Sequence, residues 1–316
     1  MPETPQTPTG RPLRGILLKL GSVVVFIVMA SLVKAVSDRV PAGQAVFFRS
    51  FFAIPVILVW LAMRGELRTG LRAADPMGHV WRGVVGPVAM GLGFAGAEFL
   101  PLPEVTAIGY AAPLLTVVFA AMFLGEDVRI FRISMVVLGI TGVLIVLSPR
   151  LTLGGGDTVR TTEALGAMLV LGGAVFAALA QVFIRKLVHS ESTAAIVFWF
   201  SVTASGLALV TLPFGWVVPT AGEAAMLVAC GLLGGIGQIL LTSAYREADA
   251  SVVAPFDYAS ILFALAIGWW FFAEAPTVTM LAGAALVVLA GVLIIWREHR
   301  LGLERARQRK AMTPQG

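Results

Sequence analysis

Cysteine, asparagine and histidine are rare or absent in this 316-residue chain. The single cysteine, Cys230, excludes an intrachain disulfide bond, and its apolar surroundings indicate a buried, inert thiol. Three scattered histidines and no asparagine predict neither a metal site nor a cofactor. The sequence has no Walker motif, which excludes ATP as an energy source within the chain. It also has no cluster of catalytic residue types, so the protein is predicted not to be an enzyme.

Charged residues are scarce as well. They make up 13% of the chain and hydrophobic residues 58%, against about 25% and 45–50% in ordinary soluble domains. One aqueous particle cannot hide that much apolar surface, which excludes a soluble fold, and widespread disorder is excluded for the same reason. The net charge of +5 is dispersed at segment ends and in the tail, so no nucleic acid partner is expected. The predicted partner is the lipid bilayer.

Ten apolar segments are long enough to cross a membrane. A hydrocarbon core of about 30 Å requires roughly 20 helical residues, and these runs are continuous, which favours helices over alternating strands. The predicted spans are 15–36, 43–63, 78–98, 102–124, 130–148, 163–187, 192–214, 222–245, 250–273 and 277–296. The predicted fold class is therefore an all-α integral membrane protein with ten transmembrane helices.

The distribution of Lys and Arg predicts the orientation of the chain. If the amino terminus is cytoplasmic, 18 of the 23 basic residues fall in cytoplasmic segments, so both termini are expected inside. Residues 1–14 are rich in Pro and Thr and are predicted to be a disordered cytoplasmic segment. Residues 149–162 are predicted to be a periplasmic linker and residues 297–316 a basic cytoplasmic tail. We expect a multi-pass protein of the bacterial inner membrane.

The two halves of the chain resemble each other. Similar residues recur in the same order roughly 150 positions apart. The aligned pairs include Gly15 with Gly166, Lys34 with Arg185, Phe47 with Phe198, Tyr110 with Tyr258 and Glu126 with Glu274. The halves are predicted to be 15–148 and 163–296, with five spans each. Because five is odd, the second half enters the membrane from the opposite side, which gives the inverted repeat typical of secondary transporters.

Three segments have a characteristic pattern: PAGQAVFFRSFF opens span 2, LPEVTAIGYAAPLLTVVFAAMFLGE forms span 4 and ADASVVAPFDYASILFALAIGWWFFAE forms span 9. Together with the ten spans, they resemble the EamA-type branch of the drug/metabolite transporter superfamily over residues 15–297. The resemblance implies a small-molecule substrate and a central cavity lined by spans 1, 3, 4, 6, 8 and 9. We expect a monomer or homodimer. Ala273 departs from the pattern, because its counterpart Gly125 is a glycine.

Asp257 is the strongest candidate for a functional residue. It lies about seven residues into span 9, roughly 10 Å along the helix. A carboxylate within the membrane costs about 2.5–3.5 kcal/mol to insert and usually faces a cavity, an ionic partner or a proton path. A proton is therefore the candidate coupling ion. The alternative is an acid just below the headgroups that supports the start of its helix.

Tyr110 and Tyr258 are two of only three tyrosines and occupy equivalent positions in the two halves. Because spans 4 and 9 run in opposite directions, the sequence places Tyr110 towards the outside and Tyr258 towards the inside. Their hydroxyl groups are predicted to form an outer and an inner gate around a central site. The alternative is a location in the aromatic belts at the membrane surfaces.

Gln181 and Gln238 lie within spans 6 and 8 and are expected to point into the protein. Their amides either bind polar groups of a substrate or join helices by hydrogen bonds of about 1 kcal/mol. Arg49 lies roughly 9 Å from the outer end of span 2. It either meets an anionic substrate group, pairs with Glu98 or Glu104, or extends to the outer headgroups.

Prolines within the spans predict where helices bend. Pro55, Pro87, Pro113 and Pro255 each remove a backbone hydrogen bond, so each is expected to kink its helix. Kinks near the membrane centre suit a gating movement. We therefore predict hinges at Gly86 with Pro87 and at Pro255.

The sequence as a whole favours a secondary transporter that moves a small polar metabolite by alternating access. Export of an amino acid or a derivative is the leading interpretation, by analogy with the family. Uptake of riboflavin or S-adenosylmethionine is the nearest alternative. A membrane enzyme would require clustered catalytic residues, and a passive channel would require rings of charge or a carbonyl filter. The sequence contains no indication of either.

Overall fold

The computed structural model describes residues 12–124, 130–149, 158–187, 190–247 and 254–312. Within these ranges the chain is helical and contains no strand. The first helix begins at Pro12, so the last part of the segment predicted to be disordered is helical. Residues 1–11, most of the predicted linker, and Gly125 and Glu126 lie outside the described residues.

The helices follow one another with short connections. In the first half they are α1 (Pro12–Val36), α2 (Ala42–Phe51), α3 (Ala53–Met63), α4 (Leu67–Gly70), α5 (Pro76–Phe99), α6 (Leu102–Gly109), α7 (Ala111–Leu124) and α8 (Ile130–Leu147). In the second half they are α9 (Thr158–Leu187), α10 (Thr193–Leu209), α11 (Ala221–Glu247), α12 (Ser260–Phe272) and α13 (Val278–Met312). The last helix thus continues beyond its predicted span into the basic tail.

Seven helical segments are long and apolar enough to cross a membrane. They are Leu13–Val36, Ala42–Met63, Pro76–Phe99, Leu102–Phe119, Thr161–Ile184, Ala221–Leu241 and Val278–Arg297. The three other predicted spans coincide with shorter apolar helices, at Ile133–Leu147, Ala194–Leu209 and Phe256–Phe272. The expectation of an all-helical membrane protein is confirmed for the described residues. The count of ten membrane-crossing helices stays a prediction.

Two predicted spans are interrupted about one turn before a proline. In span 2, Phe52 separates α2 from α3 shortly before Pro55. In span 4, Tyr110 separates α6 from α7 shortly before Pro113. A proline removes the hydrogen bond to the carbonyl four residues earlier and crowds that carbonyl, which explains both interruptions. By contrast, α5 continues unbroken through Pro87.

The described part of span 9 starts with a 3-10 helix where the sequence predicted an α-helix. Residues Ala254–Ala259 form this tighter turn, and α12 starts only at Ser260. The turn contains Pro255, Asp257 and Tyr258. Short 3-10 turns are frequent at the ends of α-helices. The predicted hinge at Pro255 therefore falls on a local change of helix type.

The end of α12 explains why the family pattern has a glycine there. Ala273 adopts a left-handed conformation with φ of 54°, and the amide of Glu274 donates a hydrogen bond to the carbonyl of Gly268 at 2.9 Å. A non-glycine residue in this conformation costs about 1 kcal/mol. Ala273 therefore ends its helix with a backbone strain that a glycine would not carry.

Three helix pairs make the most extensive contacts: α1 with α11, α5 with α9, and α8 with α13. Glycines allow these pairs to approach closely. A Cβ added at Gly283 would lie 2.5 Å from the carbonyl oxygen of Gly142 and 2.9 Å from the amide nitrogen of Val146. Small residues at helix interfaces are the usual means of packing membrane helices.

Candidate functional site

The interruption of span 4 meets the 3-10 turn of span 9 in the interior. The rings of Tyr110 and Tyr258 are 5.0 Å apart between centroids in an edge-on arrangement, and both residues are buried. The Tyr110 hydroxyl lies 2.5 Å from the hydroxyl of Ser260 and 3.3 Å from the carbonyl oxygen of Tyr258. The Ser260 hydroxyl donates to the carbonyl oxygen of Asp257 at 2.7 Å. The side chain of Tyr110 thus joins the α6–α7 junction to the 3-10 turn.

The contact between the two rings corrects the prediction of separate outer and inner gates. Tyr110 and Tyr258 touch each other, so they cannot close opposite sides of a central site in this conformation. The membrane-belt alternative is also wrong for the structure, because both residues are only 7% exposed.

Asp257 forms an ion pair with a lysine of the first helix. Its Oδ1 lies 2.6 Å from Nζ of Lys19, whose side chain is 2% exposed, while half of the Asp257 side chain is exposed. Asp257 was predicted to face a cavity, an ionic partner or a proton path, and the structure shows an ionic partner. In the sequence, Lys19 is one of the 18 basic residues assigned to cytoplasmic segments, and no other role was predicted for it. Its position inside the first apolar span was the signal that could have identified it.

These residues form what we term the central polar cluster: Lys19, Tyr110, Asp257, Tyr258 and Ser260. Interrupted helices leave backbone groups without helical partners, and transporters use such groups to bind substrates and ions. In the cluster, an ammonium and a carboxylate lie beside a network of hydroxyl and carbonyl groups. A zwitterionic or cationic solute could exchange ionic partners with the pair, and a proton could bind the exposed carboxylate.

Arg49 lies in the protein interior. It is 4% exposed, and its guanidinium carbon lies 5.5 Å from the centre of the Phe200 ring. No ion pair joins it to Glu98 or Glu104, and it does not extend to the protein surface, so two of its three predicted roles are wrong for this conformation. Arg82 approaches the same ring at 4.0 Å. In the sequence, Arg82 is one of the 18 basic residues assigned to cytoplasmic segments, and no other role was predicted for it.

The two glutamines differ in exposure. Gln181 is exposed although Ala178, three residues earlier on α9, is fully buried. Gln238 is half-buried on α11. A third glutamine, Gln44, is 2% exposed and binds the backbone of Val217 through both amide atoms, at 2.9 and 3.1 Å. Gln44 therefore has the helix-joining role considered for the other two.

A second ion pair closes one end of the helix bundle. Nζ of Lys34 lies 3.0 Å from Oε1 of Glu274 and donates to the carbonyl oxygens of Ala97 and Leu100 at 3.1 and 2.5 Å. The other oxygen of Glu274 accepts a hydrogen bond from the amide of Leu102 at 2.8 Å. Two side chains thus join the ends of α1, α5 and α12 to the start of α6.

The sequence model of the EamA-like transporter family matches residues 13–148 and, a second time, residues 164–296. The chain belongs to the EamA-like transporter family. An EamA-like protein is a multi-pass membrane transporter, which agrees with the apolar helices and the buried charges described above. The family resemblance recognised in the sequence is therefore confirmed.

Three relatives illustrate the range of the family. The chain is 34% identical to the pseudopaline exporter CntI of Pseudomonas aeruginosa, covering 89% of this chain and 95% of the relative. It is 29% identical to a riboflavin transporter of Rhizobium johnstonii, covering 82% and 83%. It is 26% identical to an S-adenosylmethionine uptake transporter of Rickettsia bellii, covering 84% and 88%. One of these relatives is named as an exporter and another as an uptake transporter.

A solved crystal structure has the same fold. It superposes with a TM-score of 0.66 at 21% sequence identity, and the match covers 91% of this chain and 97% of the other. At that identity the similarity concerns the fold alone.

Proposed function

We propose that this EamA-like protein is a secondary transporter that carries a small polar metabolite across the bacterial inner membrane by alternating access. Export of an amino acid or a derivative is the favoured direction and substrate class. The relative named as a pseudopaline exporter supports this choice, since it is 34% identical over most of both chains.

The observation that carries the proposal is the central polar cluster. Burying charges in a membrane protein is expensive, and such residues usually mark a substrate or ion pathway. Here Lys19 is buried while its partner Asp257 is half exposed, so the carboxylate is the part of the pair that a solute or a proton can reach. Binding at Asp257 would weaken its contact with Lys19 and free α1 to move relative to the 3-10 turn.

The arrangement of helices supports an inverted repeat of 15–148 and 163–296. In the predicted repeat, α1 corresponds to α9 and α5 corresponds to α11. Exchanging the halves therefore converts the contact between α1 and α11 into the contact between α9 and α5, which are two of the three most extensive helix contacts. The third, between α8 and α13, is converted into itself. Tyr110 and Tyr258, which are equivalent positions, also meet. Such an arrangement gives two conformations of similar energy, which alternating access requires.

The two ends of the bundle support an assignment of this conformation. At one end, Lys34 and Glu274 connect four helix termini through ionic and backbone contacts. Towards the other end, Gln181 is exposed although Ala178 is buried. With both termini in the cytoplasm, the closed end is periplasmic and the opening faces the cytoplasm. This is the state from which an exporter loads its substrate.

A transport assay tests the proposal. A metabolite library is screened by thermal shift on the purified protein, and each stabilising compound is then measured for transport in proteoliposomes. Asp257→Asn and Tyr258→Phe should lower the flux of that compound. Glu247→Gln is the matched control, because Glu247 also pairs with a cation of α1, but that cation, Arg14, is 59% exposed whereas Lys19 is 2% exposed. Unimpaired flux in both cluster variants would refute the site.

The predicted orientation has its own test. Single cysteines are introduced by Pro2→Cys or Gln315→Cys in a Cys230→Ala background, and spheroplasts are treated with a membrane-impermeant maleimide. Both cysteines should be unreactive in intact spheroplasts and reactive after permeabilisation. Reaction of only one from outside would exclude an even number of membrane crossings.

Uptake of riboflavin or S-adenosylmethionine is the second candidate function. The relatives with these names support it, although their identities to this chain are lower, at 29% and 26%. Rescue of a riboflavin auxotroph, or uptake of labelled S-adenosylmethionine by cells expressing the protein, would favour uptake over export.

A further inference from the structure

Two arginines from different helices converge on one aromatic ring. Arg49 of α2 and Arg82 of α5 place their guanidinium carbons 5.5 and 4.0 Å from the centre of the Phe200 ring on α10. Both distances refer to the same ring, so the two guanidinium groups lie within about 10 Å of each other. Three helices thus bring two positive charges together in the interior.

Neither arginine has an anionic partner among the residues that the structure describes. Within the described part of the chain, neither guanidinium forms a hydrogen bond or an ion pair, and Nε of Arg49 and both Nε and Nη1 of Arg82 are buried without a hydrogen-bond partner. Contact with an aromatic face offsets only part of the cost of dehydrating a cation. Mutual repulsion of the two charges adds to that cost. An anion between them would remove both penalties.

Glycines make room for the two guanidinium groups. A Cβ added at Gly86 would overlap Nη1 of Arg82 and would lie 2.6 Å from Cε2 of Phe200. A Cβ added at Gly234 on α11 would lie 3.2 Å from Nε of Arg49. Gly86, which the sequence suggested as a hinge, therefore has a second explanation: it permits Arg82 to lie against the ring.

The predicted internal repeat has an aromatic residue where the first half has one of these arginines. The alignment that pairs Phe47 with Phe198 pairs Arg49 with Phe200. Equivalent positions of the two halves therefore meet in the structure, one as a cation and the other as an aromatic residue.

We propose that Arg49 and Arg82 form an anion subsite that binds a carboxylate group of the transported solute, with Phe200 beside it. The inference rests on the proposed transport function and names a chemical group of its substrate. The planar fork of a guanidinium matches the two oxygens of a carboxylate, and the resulting hydrogen bonds are charge-assisted. Arg82 is half-buried as a residue, although Nε and Nη1 of its guanidinium are buried.

Binding of a simple dicarboxylate tests the subsite on the purified full-length protein. Glutarate, the uncharged glutaramide and sulfate are compared by thermal shift and calorimetry at equal ionic strength. Glutarate should bind, and Arg49→Met or Arg82→Met should weaken it at least tenfold. Arg39→Met is the control, because Arg39 is an exposed arginine paired with Glu223. No glutarate binding, equal binding of glutaramide, or a preference for sulfate overturns the proposal.

The stability of the ligand-free protein separates a binding role from a structural one. Removing a buried charge that lacks an anionic partner should raise the melting temperature, so Arg82→Met should melt at least about 2 °C higher than the unchanged protein. A lower melting temperature would indicate a structural role. Arg82→Lys keeps the charge but not the fork. It should leave the fold intact and still weaken glutarate binding, and wild-type affinity in this variant contradicts the carboxylate assignment.

The two proposals can fail separately. Glutarate binding that depends on both arginines, with no flux of any bound compound in proteoliposomes, refutes the transport function and keeps the subsite as an anion-binding site. Transport of a neutral or cationic metabolite that is unaffected by Arg49→Met and Arg82→Met refutes the subsite and keeps the transporter.

Discussion

The ion pair between Lys19 and Asp257 predicts an unequal response to removing either partner. The Lys19 side chain is 2% exposed and that of Asp257 is 50% exposed. Asp257→Asn takes the carboxylate away from a buried ammonium, and such a loss costs about 3 kcal/mol. Lys19→Met leaves a carboxylate that water in the proposed cavity can solvate, so we expect a loss of only about 1 kcal/mol.

The double variant completes the comparison. With both charges absent, the remaining side chains cost little to bury, so Lys19→Met with Asp257→Asn should be more stable than Asp257→Asn alone by about 2 kcal/mol. Unfolding of the purified variants by SDS, followed by tryptophan fluorescence, measures these differences. The flux of the double variant should stay low despite its recovered stability. Equal losses in the two single variants would refute the reasoning, because Asp257 would then be as poorly hydrated as Lys19.

Three further predictions follow from other parts of the structure. Ala273→Gly should raise the free energy of unfolding by about 1 kcal/mol, because it relieves a left-handed residue at the end of α12, and a decrease in the SDS titration would contradict this. Gly283→Ala should lower the free energy of unfolding by about 1–3 kcal/mol, since the added Cβ would press on the backbone of α8. Unchanged stability would show that α8 and α13 can move apart without cost. Lys34→Gln should weaken the closed end and increase labelling of the buried Cys230 by an impermeant maleimide added from the periplasmic side. Lys186→Gln, which changes a lysine near the other end of α9, should not.

The apolar runs and prolines of the sequence predicted much of the fold. Bilayer thickness sets the length of a span, so composition alone locates the helices. Pro55 and Pro113 predicted kinks, and the structure has interruptions just before them because the effect of proline on the preceding turn is local. Pro87 had no such effect, since α5 accommodates it within an unbroken helix.

The candidate site was harder to predict because its contacts join distant parts of the chain. Asp257 was identified from its depth in an apolar span, but its partner Lys19 lies more than 200 residues earlier, and nothing local links them. Arg82 was missed for the same reason, since only packing reveals that it shares a ring with Arg49. Tyr110 and Tyr258 were predicted at separate gates, whereas the structure has their rings in contact, with Tyr258 in a 3-10 turn that the sequence did not predict.

Counterflow in proteoliposomes tests alternating access most directly. Vesicles containing the protein are loaded with an unlabelled metabolite that stabilises it, and the entry of the same labelled metabolite is followed from outside. A carrier that exposes one site to each side in turn should show saturable entry that is accelerated by the internal solute, and Asp257→Asn should abolish the acceleration. Entry that rises linearly with concentration and ignores the internal solute would identify a passive pore instead.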